Sequence, residues 1–562
     1  MTLFDKILKS RGILGDDRDI FLNPDYEKTH DPFLLPDMDK CVNRLIEARR
    51  NQEYVVIYGD YDIDGLTATT LLLDSFSKFG FENVDTFIPN RFIEGYGMTI
   101  EAVEKIAGMG ATLIVTVDCG SLSEEPIKHA KKLGVDVIVT DHHNVAKVQP
   151  PAIGVINPKR LLQDYPDKYE NLILKDEVDN DKLYPFLDLP GVGVAFKLVQ
   201  AMQTKIDGMP VGQEKWLLDL VALGTVCDVV TLVDENRIHV YWGLKVLAKT
   251  RRVGLKALMS VSDVKLNNID TRSLGFGLGP RMNAAGCLET AKYAQDMLCS
   301  NNASEAMCLA RQLDDMNAER RRCQDEIYKM AVEQAEKYTD DNVLVLSHPD
   351  WSHGIIGIVA AKIMEKYKKP TYVLQECGEQ SKGSARSFGD FSVADAIRAS
   401  EDIITGGGGH KIAAGVTLPT SNIEAFRDNV NKFYKSLNLQ DQENILLPVE
   451  DVEADLLSEI NLDLVDKISM LEPFGNGNPE PIIKITNLTV MGCRYMGSEQ
   501  QHIKLNVVDN KDNSIEVIAF SAPDYFFVKN GDNIDIWIQP VINEWNGRKK
   551  VEGKLLHLEV NN

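Results

Sequence analysis

Residues 54–65, YVVIYGDYDIDG, join a short apolar run to three aspartates at alternate positions. The apolar part is typical of a strand buried on both faces, because helices cover both faces of a parallel sheet. Similar runs recur downstream as VDTFIP, ATLIVTVD and VDVIVTD, with amphipathic, helix-like segments between them. This alternation predicts an α/β domain built on a doubly wound parallel sheet.

The residues that follow each strand identify the functional edge, because such sheets bind ligands beyond the carboxyl ends of their strands. Asp60, Asp62 and Asp64 follow the first run, and an extended backbone would turn all three carboxylates to one side. At roughly 4 Å and an effective dielectric near 20, each pair of carboxylates repels by about 4 kcal/mol. The cluster therefore predicts a bound cation.

Further candidate ligands follow the later strands. VTVDCG contributes Asp118, and IVTDHHN contributes Asp141, His142 and His143 at the same edge. Neighbouring residues of an extended chain point to opposite sides, so we assign His142 as a ligand and Asp141 and His143 as supporting residues. LVALGTVCDVV, whose pattern fits a strand or a helix, adds Asp228.

Composition restricts the metal and the partners. Carboxylates with imidazole favour two Mn²⁺ ions, or Mg²⁺, over a thiolate site, although Zn²⁺ stays open. The nine cysteines are scattered without a CxxC pair, which predicts reduced thiols. The net charge of −23 argues against a uniformly basic nucleic-acid surface, so any contact with DNA is expected to be focal.

The rest of the 562-residue chain predicts further domains. Residues 305–338 contain neither Pro nor Gly and predict a helix roughly 50 Å long. DNVLVLSH and TGGGGHKIAAG then indicate a second α/β domain, and KITNLTV, HIKLNVVD, SIEVIAF and NIDIWIQPVI predict a small barrel of the oligonucleotide-binding (OB) type. With neither a secretory signal nor an apolar run of membrane-spanning length in this sequence, a cytoplasmic protein without membrane partners is expected.

Four motifs, GDYDIDG, VDCG, DHHN and GTVCDVV, resemble in this order the signature motifs of the DHH phosphoesterases. LPGVGVAFKL, LGPRMNAAG, GSARS, GGGGHKIAAG and LEPFGNGNPEP are similar to the RecJ branch, and the resemblance extends from His30 onward. It implies a 5′-to-3′ exonuclease that releases 5′-mononucleotides from single-stranded DNA in repair and recombination. A single-strand-binding protein and a helicase are the partners it suggests.

The resemblance also implies a division of the chain and a set of functional residues. It predicts a DHH domain with an N-terminal extension at 1–255, a connecting helical region at 256–338, a DHHA1 domain at 339–437 and an OB-like domain at 438–562. The implied metal-site residues are Asp60, Asp62, Asp64, Asp118, His142 and Asp228. The implied catalytic residues are Asp62, Asp64, Asp118, His142 and His143. The implied phosphate or DNA contacts are Arg281, Asn283, Arg386 and His410.

Several positions depart from the family pattern. Cys119 stands where Asn is common, Cys287 stands where Arg often follows NAAG, and WSHGIIG shifts His353. An acidic insertion near 161–189 includes KDEVDND, which is typical of a solvated loop.

Three other functions use related residues. A phosphodiesterase for short oligonucleotides or cyclic dinucleotides and a manganese pyrophosphatase both use similar acidic clusters, but the predicted barrel argues against them. A replication scaffold that has lost its metal ligands is the non-enzymatic alternative, and the intact ligand set argues against it.

Overall fold

The computed structural model describes residues 1–91, 94–95, 97–175, 182–439, 443–497, 500–522, 526–545 and 547–561. The chain divides into two compact units. The smaller consists of Met1–Thr29, Thr231–Tyr241 and Leu447–Asn562, and the larger of His30–Val230 and Trp242–Leu446.

Short strands and helices alternate through the first part of the chain, as the sequence predicts. They are α1 (Leu3–Ser10), α2 (Asp16–Leu22), α3 (Met38–Arg50), β1 (Val55–Tyr58), α4 (Ile63–Lys78), β2 (Val84–Phe87), α5 (Ile100–Gly108), β3 (Leu113–Val117), α6 (Glu124–Lys132), β4 (Asp136–Thr140), β5 (Gly154–Ile156), α7 (Lys159–Asp164), β6 (Tyr169–Glu170), β7 (Ile173–Leu174), α8 (Gly191–Gln203) and α9 (Leu218–Cys227). The predicted acidic insertion contains the last four residues of α7 and the β6–β7 hairpin, whereas 176–181, most of KDEVDND, lies outside the described residues.

β1 to β5 form a parallel sheet in the order β2-β1-β3-β4-β5. The chain moves from β1 to β2 in one direction and from β2 to β3 in the other, so right-handed crossovers place α4 and α5 on opposite faces. α5 and α6 pack on the face that carries Val56, Ile114 and Val139. The doubly wound sheet is therefore confirmed, and its change of direction falls between β1 and β3, where such sheets bind ligands.

A helical region and a second sheet follow. Their elements are α10 (Asp234–Leu247), α11 (Val253–Val261), α12 (Gly279–Leu288), α13 (Lys292–Cys299), α14 (Ala303–Ala335), β8 (Leu344–His348), α15 (His353–Tyr367), β9 (Thr371–Cys377), β10 (Gln380–Arg386), α16 (Val393–Arg398), β11 (Gly406–Gly409), β12 (Ala413–Pro419) and α17 (Ile423–Ser436). α14 has 33 residues, which confirms the predicted long helix. The second sheet has the order β11-β12-β10-β9-β8, with the glycine-rich β11 at its edge. Within the described ranges, no helix is long and apolar enough to cross a bilayer.

The C-terminal part of the smaller unit is a barrel. It contains β13 (Val452–Ala454), α18 (Leu462–Ser469), β14 (Ile483–Met496), β15 (His502–Val508), β16 (Ser514–Ala519), β17 (Asn533–Trp545) and β18 (Arg548–Val560). The order β14-β15-β16-β18-β17 returns to β14, which closes a five-stranded barrel and confirms the predicted OB-like domain.

The N-terminal helix α1 belongs to the core of this barrel. Its apolar residues are spaced three and four apart on one face, and they are buried among barrel residues: Leu3, Phe4, Ile7 and Leu8. Thr2 and Asp5 cap the helix reciprocally. Just after it, Arg11 Nε lies 2.6 Å from Asp451 Oδ1. The helix and the barrel therefore form one packed body.

Candidate metal centre

The predicted acidic residues lie at the carboxyl edge of the parallel sheet. Asp60 and Asp62 lie in the loop after β1, and Asp118 follows β3 across the change in strand direction. The prediction that the aspartates after β1 lie on an extended segment is wrong, because α4 begins at Ile63. Asp62 is the N-cap of that helix, and its Oδ1 accepts a hydrogen bond from Gly65 N at 3.0 Å. It thereby satisfies one of the unpaired N–H groups of the first turn.

Asp64 lies in the first turn of α4 and is buried. Its carboxylate accepts hydrogen bonds from the backbone at the start of α8, from Gly191 N at 2.5 Å and Val192 N at 2.8 Å. A helix N-terminus stabilises negative charge in this position. Burial nevertheless raises the pKa of Asp64 to about 7, and the charge of Asp62 adds to the rise.

Asp118 is held in a left-handed backbone conformation, with φ of 60°. This conformation costs energy in a residue other than glycine, and such strain concentrates at functional sites. The residue is 1% exposed, and its Oδ1 has no hydrogen-bond partner among the described residues. Burial, followed by the charges of Asp64 and Asp62, raises the pKa of Asp118 well above its ordinary value.

His142 stands among three of the carboxylates. Its Nε2 lies 3.2 Å from Asp118 Oδ1, 3.6 Å from Asp228 Oδ2 and 3.9 Å from Asp64 Oδ2. Burial, together with the charge of His143, lowers the pKa of His142 to about 3. The ring is therefore neutral near pH 7, which is the form of imidazole that binds metal ions.

Asp141 and His143 form a pair beside this cluster. Asp141 accepts hydrogen bonds from Ser121 N at 2.9 Å, His142 N at 2.8 Å and His143 N at 3.1 Å. His143 Nδ1 lies 2.9 Å from Asp141 Oδ1. Although burial lowers the pKa of His143, the hydrogen bond and charge of Asp141 outweigh it, and the pKa is raised.

Asp228 follows a helix rather than a strand, because LVALGTVC forms most of α9. It sits at the C-terminal end of that helix, where its Oδ2 has no hydrogen-bond partner within the described part of the chain. Burial and the neighbouring Asp64 and Asp62 raise the pKa of Asp228 to about 9. The cluster is therefore supplied by the ends of three strands, by the first turn of α4 and by the end of α9.

The side chains form three overlapping groups in which each residue offers one ligand atom, with all these atoms within 4.8 Å of one another. The groups are Asp118–His142–His143, Asp64–His142–Asp228 and Asp60–Asp62–Asp118. Buried acceptors without a hydrogen-bond donor are costly, and three of the carboxylates contain such an oxygen within the described ranges: Asp60, Asp118 and Asp228. Crowded carboxylates with a neutral imidazole fit divalent cations, which supply the missing positive charge.

The structure places the predicted phosphate contacts in two regions. Arg281 in α12 donates to Gly277 O at 2.7 Å, and its Nε lies 2.8 Å from Asp314 Oδ1. Asn283, one half-turn later, is exposed. Both residues lie in the helical region that follows the first sheet along the chain and precedes the second, and neither belongs to the three groups of candidate metal ligands.

Arg386 and His410 lie in the second sheet. Arg386 ends β10, donates from Nη1 to its neighbour Ala385 O at 2.8 Å and is half-buried. Burial, then the charge of Arg91, lowers the pKa of Arg386. His410 follows the edge strand β11 and is exposed.

Arg91 is a cation at the site that sequence reasoning missed. It follows β2, and its guanidinium lies 5.4 Å from the centre of the Tyr61 ring. Its positive charge favours the ionised form of Asp60, in the loop after β1, and contributes to the lowered pKa of Arg386 in the second sheet. Parallel sheets bind ligands beyond the carboxyl ends of their strands, and the residues after β2 meet this criterion as well as those after β1, β3 and β4. That signal in the sequence could have identified Arg91.

The positions that depart from the family pattern lie close to this region. Cys119 is fully buried in the apolar core under α5 and α6, and burial raises the pKa of its thiol. Cys287 lies in the last turn of α12 against α15, where a Cβ atom at Gly354 would lie 2.3 Å from Cys287 O. Burial, then the charge of Arg91, lowers the pKa of His353.

Family models match three segments of the chain. The model of the DHH family, N-terminal domain, matches residues 54–225, the DHHA1 domain matches 340–436, and the RecJ OB domain matches 451–557. The three segments correspond to the parallel sheet with its acidic edge, the second sheet and the barrel.

Known relatives extend the similarity over nearly the whole chain. The single-stranded-DNA-specific exonuclease RecJ of Escherichia coli (strain K12) is 32% identical over 541 residues, which cover 92% of this chain and 89% of that protein. The RecJ of Bacillus subtilis (strain 168) is 33% identical over 98% of this chain, which spans 66% of its length. A crystal structure of RecJ from Thermus thermophilus in complex with Mn²⁺ superposes with a TM-score of 0.81 at 28% identity, covering 100% of this chain and 76% of that one. The chain therefore belongs to the RecJ family of DHH phosphoesterases.

Proposed function

We propose that this protein is a metal-dependent exonuclease that hydrolyses single-stranded DNA from its 5′ end and releases 5′-mononucleotides. The observation that carries the proposal is the set of buried carboxylates around His142, three of which hold an oxygen without a hydrogen-bond donor in the described part of the chain. The relatives from E. coli and B. subtilis are named single-stranded-DNA-specific exonucleases. Polarity and a role in repair and recombination rest on family membership alone.

The proposed cofactors are two Mn²⁺ ions, or Mg²⁺. Carboxylate oxygens and a neutral imidazole suit these ions, and the overlapping donor groups share ligands as a two-ion site does. Structures of the Thermus relative are described as complexes with Mn²⁺ and Mg²⁺. When bound, the cations would supply the Lewis acidity for hydrolysis of the phosphodiester. The residues proposed to hold them are Asp60, Asp62, Asp64, Asp118, His142 and Asp228.

The proposed catalytic residues are Asp62, Asp64, Asp118, His142 and His143. Neighbouring groups orient two of them, Asp64 and His143. The backbone N–H groups of α8 fix the orientation of the Asp64 carboxylate. Asp141 fixes the ring of His143 through Nδ1, and the raised pKa of His143 suits a group that holds a proton near neutral pH. His143 is 38% exposed at its side chain, which permits proton exchange with a substrate.

The proposed phosphate contacts are Arg281, Asn283, Arg386 and His410. The two arginines are local positive charges in a chain whose net charge is −23, so they can attract phosphate where the strand binds. The closed five-stranded barrel has the OB-type topology that serves single-stranded nucleic acids in other proteins, which supports single-stranded DNA as the substrate.

We also propose the domain boundaries 255/256, 338/339 and 437/438. The family-model segments at 54–225, 340–436 and 451–557 fall inside the corresponding domains, which supports this division. A single-strand-binding protein and a helicase as partners, and a cytoplasmic location, are proposals that follow from the proposed substrate.

The test is digestion of 5′-labelled and 3′-labelled single-stranded oligonucleotides with and without Mn²⁺. We expect the 5′ label to appear at once as a mononucleotide, while the 3′-labelled strand shortens progressively. Duplex DNA of the same sequence should resist. Immediate release of the 3′ label would contradict the polarity.

Parallel reactions separate the alternatives. Hydrolysis of pNpN dinucleotides or pyrophosphate in preference to long strands would favour a small-substrate phosphodiesterase or a pyrophosphatase. Absence of Mn²⁺-dependent hydrolysis with every substrate would favour a scaffold.

A further inference from the structure

Phe276 is a large apolar side chain that is exposed to solvent, on a segment that contacts residues next to the proposed metal ligands. It is 77% exposed, whereas Leu274 and Leu278 on either side of it are fully buried. Among the described residues, no aromatic ring or cation packs on the Phe276 ring. Its neighbours therefore anchor the segment, while Phe276 itself contributes nothing to the core.

The segment that carries Phe276 packs against two helices that adjoin proposed metal ligands, the start of α4 and the end of α9. Ser273–Leu278 is a π-helical turn that leads directly into α12, and such turns occur frequently at functional sites. Cys227 Sγ, one residue before Asp228, lies 3.9 Å from Leu274 O. A Cβ atom at Gly279 would lie 2.9 Å from Cys227 Sγ and 3.3 Å from Ile63 Cδ1, so this glycine permits the close approach. Ile63 lies between two of the predicted ligands, Asp62 and Asp64.

The surroundings of Phe276 fit a single strand better than another protein. Arg272 and Asn283 are the exposed residues nearest to it along the helical segment, and both are polar. A protein partner needs roughly 800 Å² on each side, which one phenyl ring in a polar setting does not offer. A nucleobase needs one flat apolar face with polar groups for the adjoining sugar and phosphate, and aromatic side chains stack favourably on bases in this way.

We propose that Phe276 is the platform on which one base of the substrate strand stacks beside the metal centre. Asn283, seven residues further, lies about 10 Å away along the helix and would contact the backbone of the same strand. The proposal rests on the proposed function, because it assumes that single-stranded DNA reaches the metal centre. It adds a contact with the base to the expected contacts with phosphate.

The test compares Phe276→Ala with wild type on oligo(dT) strands that carry one abasic tetrahydrofuran unit at successive positions. With wild type, we expect one position at which the missing base raises KM about tenfold in Mn²⁺-dependent digestion. Phe276→Ala should raise KM about tenfold on intact oligo(dT) and lose the penalty at that position. On a wholly abasic strand the two proteins should be equal. Phe276→Trp should behave like wild type.

The control variant is Leu133→Ala. Leu133 is 46% exposed and precedes β4, so it lies at the opposite edge of the parallel sheet from the metal centre. Leu133→Ala should match wild type on every strand. Digestion by wild type with no penalty at any abasic position, or an equal penalty in Phe276→Ala, would overturn the proposal. So would a change in oligomeric state of Phe276→Ala with unchanged KM. Absence of digestion by wild type would instead contradict the proposed function.

Discussion

Gly191 lies directly against Asp118: a Cβ atom at Gly191 would stand 2.6 Å from Asp118 Oδ1. The same glycine donates its N–H to Asp64 Oδ2. One residue without a side chain thus allows the start of α8 to approach two of the proposed metal ligands at once.

Gly191→Ala should therefore damage the metal centre without unfolding the protein. We expect turnover to fall at least tenfold and the Mn²⁺ concentration for half-maximal activity to rise, because the added methyl group displaces the Asp118 carboxylate. The measurement is a Mn²⁺ titration of oligonucleotide digestion. Gly108→Ala is the control, since apart from the adjoining backbone of its own helix no described atom lies within 4 Å of a Cβ there. Equal titration curves for Gly191→Ala and wild type would refute this view of α8.

Asp118→Asn should lower activity and raise the stability of the metal-free protein. The substitution removes a buried negative charge from a cluster in which the carboxylates repel one another. We expect activity to fall about a thousandfold while the metal-free protein melts at a higher temperature than wild type. Calorimetry in a chelator measures the second effect. Asp315→Asn, at an exposed position of α14, should change neither quantity.

Asp62→Ala and His142→Ala should each abolish Mn²⁺-dependent turnover, because each removes a proposed ligand. Both variants should keep the circular dichroism spectrum of wild type, since neither residue belongs to an apolar core. Retained activity in both variants would overturn the metal assignment.

The metal-free protein should lose stability as pH rises. The pKa of Asp64 is raised to about 7 and that of Asp228 to about 9, both above the ordinary value of 3.8. Because the folded state binds these protons more tightly, their contribution is complete below about pH 4 and disappears as pH rises through 7 and 9. The melting temperature in chelator should fall over this range, and less so in Asp228→Asn.

Mn²⁺ should reverse this loss and release protons on binding, because the ligands must be deprotonated. Calorimetric titration at about pH 7 in two buffers of different ionisation enthalpy measures the number released. An identical binding enthalpy in both buffers would show that the carboxylates are already ionised.

Ion pairs of one arginine hold together two helices that adjoin the metal centre, α4 and α9. Arg252 joins α4 to α9 through ion pairs with Asp74 and Asp219, and its Nε lies 3.1 Å from Asp219 Oδ1. The side chain of Arg252 is 15% exposed and that of Asp219 is 3% exposed, so this ion pair is buried. Asp219→Asn should therefore lower the free energy of local unfolding of α4 and α9 by about 3 kcal/mol. Hydrogen exchange of α4 and α9 amides measures the cost. Lys128→Ala, which breaks an ion pair on the surface, should leave the exchange of these amides unchanged, because solvent screens such a pair.

The sequence predicts the residues whose position depends only on the order of strands. Asp60, Asp118 and His142 each follow a strand of the parallel sheet, and parallel strands bring their carboxyl ends to one edge. The direction of each side chain depends on local hydrogen bonds instead. Asp62 caps a helix, so the segment around Asp64 turns helical where alternation of the aspartates suggested an extended chain.

Contacts between distant segments could not be predicted from one sequence. Asp64 and Gly191 are 127 residues apart, and no local pattern relates them. The exposure of Phe276 is equally hidden, because FGLG within a largely apolar stretch is typical of a buried segment. Arg91, by contrast, follows β2 at the same edge of the sheet, so the order of strands does predict its position.

The packing of α1 into the barrel has a consequence for synthesis of the protein. The helix leaves the ribosome more than 400 residues before the strands that cover it. At a translation rate of about 5–20 residues per second, the apolar face of α1 stays uncovered for roughly half a minute or longer before the barrel strands are synthesised. During that interval Leu3, Phe4, Ile7 and Leu8 lack the apolar residues that cover them in the folded protein, and we expect chaperones to bind them. A stalled or truncated chain that lacks the barrel keeps this face uncovered, and quality-control proteases can recognise it.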